Sequence, residues 1–367
     1  MTDLTPTADT APLPAQRRAE LLSVLNADNA LRASDLAAQL GVSVMTIRRD
    51  LVRLQREGLV TRVHGGAILP PAPVAVPADV ARPGKIAILV PSLDFYWPSV
   101  ARGAEAAAKR HGLKLLLRGD SYDSGDERPA LAPLFAMNEV VGVGAAINTL
   151  GPHSADVLAW LAQQTKPVVL IEREATLGPA QQAVESVVTD HAEGARLAAH
   201  HLRELGHHRI GCVVSRSSPT THKIMVGWGQ ACHELGLTSD QTSVDEVPAH
   251  FNAGFAPAIT AIIERYLAAG ITGLLVHSDR EAIAMTQLIE ARGLRVPADL
   301  SIISYDDEVA GLFSPALTAV RPARDALGAA AVDLLVDRLA EPRRPTHRVI
   351  ISPELFARES TGPAPVA

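Results

Sequence analysis

Between Val44 and Arg56 the apolar and polar positions sort onto two sides of a helix. Val44, Ile47, Leu51 and Leu54 recur at i, i+3, i+7 and i+10, which makes one apolar stripe. Thr46, Arg49, Arg53 and Arg56 repeat that spacing two residues later and so occupy the opposite side. Upstream, "AQRRAELLSVLNAD" gathers Leu21, Leu22 and Leu25 on one face. "SDLAAQL" predicts a second helix, capped by Ser34 and stopped at Gly41. Ser43 caps the third helix, which runs to about Glu57, and "LVTRVHGGAIL" then alternates like a short hairpin. Helix, helix, tight turn, helix and hairpin predict a winged helix-turn-helix over residues 15–68.

Past Lys85 the pattern becomes strand–helix units. "KIAILVP", "LKLLLRG", "VVGVGAAI", "KPVVLIE" and "AVESVVTD" read as buried strands, with "PSVARGAEAAAKRHG" as a helix. A second series follows in "HRIGCVVS", "GLLVHS" and "LSIISYD", interleaved with "EGARLAAHHLREL" and "REAIAMTQLIEARG". Alternation of this kind predicts an α/β body of two lobes over residues 85–362, each with a parallel sheet and helices on both faces. The cleft between the lobes, at the carboxyl ends of the strands, is the expected ligand site. Residues 1–14 read as a disordered N-terminus, the proline-rich 69–84 as an extended linker, and 363–367 as a tail.

Composition narrows the function classes. With 367 residues, 47% hydrophobic and 20% charged, the chain is long enough for several folded domains. A net charge of −6 argues against a protein that coats nucleic acid, while leaving room for a local basic patch. Cys212 and Cys232 are too few for a disulfide framework and lack metal-ligand spacing, so they are expected as reduced core thiols. His200-His201 and His207-His208 also lack metal-ligand spacing, and no metal or cofactor is expected. The N-terminal stretch has no apolar signal core, and no segment approaches a membrane span, so the expected compartment is the cytosol.

The patch lies on the third helix. Arg48, Arg49, Arg53, Arg56 and Arg62 stand against only Asp50 and Glu57, giving +3 between Ser43 and His64. On charge alone this fits a solvated face with Asp50–Arg53 pairing equally well. The arrangement favours DNA, because all the arginines but Arg62 of the wing lie on the second helix of the helix-turn-helix, which would enter the major groove. "GVSVMTIRRDLVRLQREGLVTRVHGGA" resembles the N-terminal signature of DeoR-family transcriptional repressors over roughly residues 15–68. The resemblance implies DNA contacts from Ser43, Thr46, Arg48, Arg49, Arg53, Arg62 and His64, to base edges near the start of the helix and to phosphates farther along.

DeoR-family repressors usually continue into a domain that binds sugar phosphates. Residues 85–362 instead resemble the effector domain of the lactose repressor family and the periplasmic sugar-binding proteins, through "VVTDHAEGARLAAHHLRELGHHRI", "LRVPADLSIISYDDEVAGLFSPALTAVRP" and "ARESTG". That resemblance places stacking aromatics at Phe95, Tyr96 and Trp97, in a chain only 4% aromatic. It also implies an acid–arginine pair at Glu172-Arg173, a sugar-binding aspartate at Asp306, and further contacts from Lys223, Phe251 and Ser278. Asp190, by contrast, suits a loop-stabilising role as well as a ligand contact. The family's pattern is broken where Ile224 replaces an arginine, Ser278 an asparagine, and Pro322 a common glutamine.

The expected function is a DNA-binding transcriptional regulator, a repressor rather than an enzyme, controlled by a sugar-like effector. The expected partners are a double-stranded operator, the effector and a second copy of the chain, with no membrane. A cytosolic sugar sensor acting without DNA is the alternative, with a sugar- or nucleoside-acting enzyme a more distant one.

Overall fold

The computed structural model describes residues 20–21, 24, 30–56, 60–63, 66–68, 84–121, 125–177, 181–216 and 218–365. The chain divides into two compact units, residues 1–74 and 75–367.

In the first unit, strand β1 (Ala30–Arg32) leads directly into helix α1 (Ala33–Gln39), and α2 (Val44–Arg56) is followed by β2 (Thr61–Val63) and β3 (Gly66–Ile68). The three strands form an antiparallel sheet in the order β1-β3-β2. Strand β1 was not expected, because three residues are too short to show an alternation. It displaces the start of α1, so Ser34 sits inside the helix with its hydroxyl on Asp35 and is not the cap. Gly41 does end the turn, in the left-handed region at φ 63°. Leu21, Leu36, Ile47, Leu51, Leu54 and Val60 form the core. Val44 does not join the stripe predicted for it: as the first residue of α2 it overhangs that core and is exposed. Leu22, Leu25, Glu57, Gly58, His64 and the expected linker up to Pro83 lie outside the described residues.

The second unit holds two six-stranded sheets. The first has the order β16-β10-β7-β6-β4-β5 and is parallel throughout. Its strands are β4 (Lys85–Val90), β5 (Lys114–Gly119), β6 (Val140–Ala145), β7 (Val168–Ile171), β10 (Ser186–Thr189) and β16 (Arg348–Ile351). A small hairpin, β8 (Thr176–Leu177) with β9 (Gln182–Ala183), branches from it. The second sheet has the order β12-β11-β13-β14-β15-β17, built from β11 (Ile210–Ser215), β12 (Thr242–Val247), β13 (Gly273–Val276), β14 (Ser301–Tyr305), β15 (Thr318–Arg321) and β17 (Glu354–Phe356). Only β17 runs antiparallel. Helices α3 (Tyr96–Arg110), α4 (Arg128–Ala136) and α5 (Ser154–Leu161) belong to the first sheet, as does α10 (Arg324–Ala340). Helices α6 (His191–Glu204), α7 (Thr221–Glu234), α8 (Phe255–Ala268) and α9 (Asp279–Glu290) belong to the second.

The order of elements makes the chain cross between lobes three times, at Thr189–His191, Arg321–Arg324 and Ile351–Glu354. Beside the second crossing α10 packs tightly on α3. A Cβ at Gly103 would fall 1.9 Å from the Asp325 carbonyl oxygen, and one at Gly328 equally close to that of Val100. Only glycine permits this approach. Each lobe has its own apolar core. Cys212 and Cys232 are buried free thiols in the second, as expected. His207 is tied to the Thr272 hydroxyl at 2.8 Å and the Gly362 carbonyl at 3.1 Å, which fixes the C-terminal segment to the lobe. No helix among the described residues is long and apolar enough to cross a membrane.

Candidate functional site

Helix α2 is the candidate nucleic-acid interface. The Ser43 hydroxyl accepts the Thr46 backbone N–H at 3.1 Å and lies 2.8 Å from the Thr46 hydroxyl, an N-cap that satisfies one of the helix's orphan donors. Both hydroxyls are therefore engaged with each other, Ser43 exposed and Thr46 half-buried. Arg49 is exposed on the same side, whereas Asp50 is buried. Arg48, Arg53 and Arg62 occupy helix or strand positions, with side chains outside the described set; His64 lies outside it entirely. Met45 was overlooked by pattern reading, yet it is 64% exposed in the first turn of α2. An apolar side chain there has the chemistry to meet a thymine methyl group.

The second candidate site is a cleft of about 930 Å³ between the lobes. Its walls are the carboxyl ends of β4, β5 and β7 on one side and of β11, β13 and β14 on the other, where open α/β sheets place ligands. Phe95 is half exposed in a left-handed conformation at φ 53°. The Arg280 guanidinium of the second lobe lies 3.2 Å from its ring centre, a cation–π contact bridging the two lobes. Phe251 is 82% exposed, and among the described residues its ring contact is His250, edge-on at 5.4 Å. Trp97 departs from expectation. It is 2% exposed and packs edge-on to Tyr96 at 5.4 Å, so it is a core residue bordering the cleft, with no open face for stacking.

Glu172 and Arg173 both line the cleft, where an acid–arginine pair on the ligand was expected. The Glu172 carboxylate accepts from the Tyr96 hydroxyl, the Thr189 hydroxyl at 2.5 Å and the Thr189 N–H at 3.1 Å, and lies 3.2 Å from His191 Nε2. Burial would raise its pKa, but His191 and the three hydrogen-bond donors hold it down to about 2. His191 Nδ1 in turn lies 3.0 Å from the Tyr305 hydroxyl, so a buried chain from Tyr96 to Tyr305 joins the lobes beside the first crossing. Arg173 donates to the carbonyls of Ile147 at 3.0 Å and Glu172 at 2.8 Å.

Two other expected contacts have structural work. Lys223 is absent from the main cleft; it lines an adjoining cavity of about 410 Å³ and pairs with Glu174 across the lobes at 2.7 Å. Ser278 borders the cleft, but its hydroxyl and N–H both reach Glu281, at 2.7 and 3.1 Å, capping α9. Asp190 caps α6 through the Glu193 N–H at 2.9 Å. Ile224 is buried in the second lobe's core, and Pro322 lies in the second crossing.

Asp306 is in place at the end of β14, half-buried, with φ 90°, a backbone conformation that is strained for a side chain of this size. Its carboxylate makes no hydrogen bond among the described residues, and Arg324 reaches its backbone carbonyl instead. Burial pushes this carboxyl well above the usual range, with Asp279 and Glu308 adding to the shift and Arg324 opposing it. The loop after it is pinned by Asp279, which accepts the N–H groups of Glu308 at 2.6 Å, Val309 at 2.9 Å and Ala310 at 3.1 Å. Sequence reading missed His191, His277, Asp279, Arg280, Glu308 and Arg324, although "DHAEG" and "YDDE" contain two of them. Their roles depend on contacts far apart in the chain.

Comparisons with known proteins agree with this division. The DeoR-like helix-turn-helix domain family matches residues 17–71, and the periplasmic binding protein-like domain family matches residues 199–361. An HTH-type transcriptional regulator from the aml 5′ region of Streptomyces limosus is 30% identical, over 90% of this chain and 94% of its own. The HTH-type transcriptional repressor PurR of Aliivibrio salmonicida is 29% identical over 74% of this chain and 80% of its own. Among solved structures, a LacI family transcriptional regulator from Enterococcus faecium with bound ribose shares the fold at a TM-score of 0.62 and 24% identity, covering 76% of this chain and 99% of that one. The chain belongs to the HTH-type transcriptional regulators, with a DeoR-like helix-turn-helix head and a periplasmic binding protein-like body.

Proposed function

We propose that this regulator is a repressor whose hold on its operator is set by a polyhydroxylated metabolite enclosed between the lobes. The observation that carries this reading is the cleft itself, which is lined by both the exposed Phe251 ring and the Asp306 carboxylate, with no hydrogen bond to that carboxylate among the described residues. An aromatic face suits the C–H surface of a sugar ring, and a carboxylate suits its vicinal hydroxyls. The ribose bound by the Enterococcus faecium neighbour supports the same ligand class. Effector binding shifts the equilibrium between lobe arrangements, and through a homodimer it changes how two heads meet two half-sites. In the head, Arg49 and the first turn of α2 face the groove, with Met45 as an apolar reader.

The test is a gel shift on DNA from the protein's own upstream region, with and without sugars, polyols and nucleosides. A retarded band that one ligand class removes is the expected result. Arg49→Ala should weaken operator binding by about 1–3 kcal/mol and flatten its salt dependence. Unchanged affinity and slope would remove α2 from the groove. Analytical ultracentrifugation showing only monomer, with and without DNA, would overturn the dimer.

A further inference from the structure

The cleft's charges are unevenly satisfied. In the loop after β14, Asp279 is fully engaged by backbone N–H groups, and Asp307 pairs with Arg321 at 2.5 Å and Arg358 at 2.8 Å. Glu308 is less well met, by a single long ion pair and no hydrogen bond to its buried oxygen. Its Oε1 is buried without a hydrogen bond, and the nearest cation, Arg324, stands 4.0 Å away. The Asp306 carboxylate two residues earlier makes no hydrogen bond among the described residues. Across the cleft, Asp120 Oδ2 is buried and unpartnered. So is Nδ1 of His277, a lining residue only 5% exposed.

The cations nearby do not balance these carboxyls: one arginine, Arg324, is shared between Asp306 and Glu308, and it gives an N–H to the Asp306 backbone carbonyl. Arg173 is held by two carbonyls, and Arg280 lies over Phe95. Ile224, where the family's pattern has an arginine, is buried in the core. Leaving buried carboxylate oxygens without donors is costly, and the cost is relieved when a cation with N–H donors arrives. A neutral sugar would bring donors but no charge, and a phosphate would be repelled.

Resting on the proposed cleft function, we infer that the effector carries a protonated amino group, an amino sugar in chemical class, whose ammonium is held by Asp306 and Glu308. A protonated amine supplies both the missing charge and three donors. The raised pKa values of both carboxyls, Glu308 to about 7 through burial and Asp279, fit a site whose cation arrives with its ligand.

The experiment measures binding to the full chain by thermal shift and calorimetry, using D-glucosamine and D-galactosamine against D-glucose and D-galactose. N-acetyl-D-glucosamine, which keeps the nitrogen without its charge, and D-glucose 6-phosphate complete the set. The expected result is an amine preference of about tenfold or more in Kd, as one charge-assisted hydrogen bond provides. That preference should be lost on N-acetylation and should shrink toward unity in the Asp306→Asn, Glu308→Gln double variant, with its fold checked by circular dichroism. Should neutral, acetylated or phosphorylated sugars bind as well as the amines, the inference falls and the cleft reading stands. Should no sugar of any kind bind, the cleft reading falls and takes the inference with it. The wild-type comparison decides the matter even if the double variant does not fold.

Discussion

Glu172 and Glu308 sit on opposite walls of one cleft and share a side chain, yet their surroundings push them in opposite directions. Glu172, in the first lobe, is met by two hydroxyls, a backbone N–H and an imidazole, and is held ionised down to about pH 2. Glu308, in the second, has a buried oxygen with no donor, and its pKa is raised to about 7. The first carboxylate is part of the structure, fastening the two lobes where the chain crosses between them. The second is held in reserve for something that is not protein. Charge and burial alone do not tell a binding residue from a structural one; the count of satisfied donors and acceptors does.

The largest expected effect tests the structural half of that contrast. Glu172→Gln places an amide among donors that need a carboxylate and leaves His191 without its anion. The body should lose about 3–5 kcal/mol, as when one partner of a buried pair is removed. Denaturant unfolding would show it, and a loss below about 1 kcal/mol would mean that the Tyr96–Tyr305 chain does not fasten the lobes. Wild type should show the same group in its pH dependence. Its folded pKa lies below the unfolded value, so its stabilisation is present above about pH 4.5 and is lost as pH falls toward 2. The loss is about 3 kcal/mol as the carboxylate is titrated down to about pH 2, and Glu172→Gln should lack that part of the slope.

Glu308→Gln should act with the opposite sign. Arg324, Asp279 and Arg280 are the charged groups facing Glu308. Its folded pKa is raised, so ionisation opposes folding, absent below about pH 4.5 and complete above about pH 7. The variant should therefore gain about 1 kcal/mol at pH 8 and nothing at pH 4. Equal melting temperatures at both pH values would show that Glu308 finds a partner in solution. The smallest effect separates a cap from a contact. Ser278→Ala should cost about 1 kcal/mol through the lost α9 cap while leaving effector affinity within about twofold. A large affinity loss at unchanged stability would return Ser278 to the ligand.

Much of this is legible in the sequence. Ile47, Leu51 and Leu54 point inward as their period requires, and Phe95, Glu172, Arg173 and Asp306 line the cleft because parallel strands bring their carboxyl ends together. Local pattern failed where a side chain answers to distant partners. Trp97 shares a run of three aromatics with Phe95, but the turn of α3 directs it into the core. Lys223 was placed near the effector and instead pairs with Glu174, 49 residues away. His191 carries no local signal at all, since its partners lie 19 and 114 residues from it.

The three crossings between lobes have a consequence for how the body is made. Neither lobe is one continuous stretch of chain, since the first sheet receives its edge strand β16 only at Arg348–Ile351. During synthesis, strands β4 to β10 must wait for α10 and β16 while all of the second lobe except β17 and the segment after it is made between them. The head closes its sheet by residue 68, from contacts local in sequence. A ribosome that stalls midway through the body would thus hold a finished DNA reader whose sensor is still incomplete.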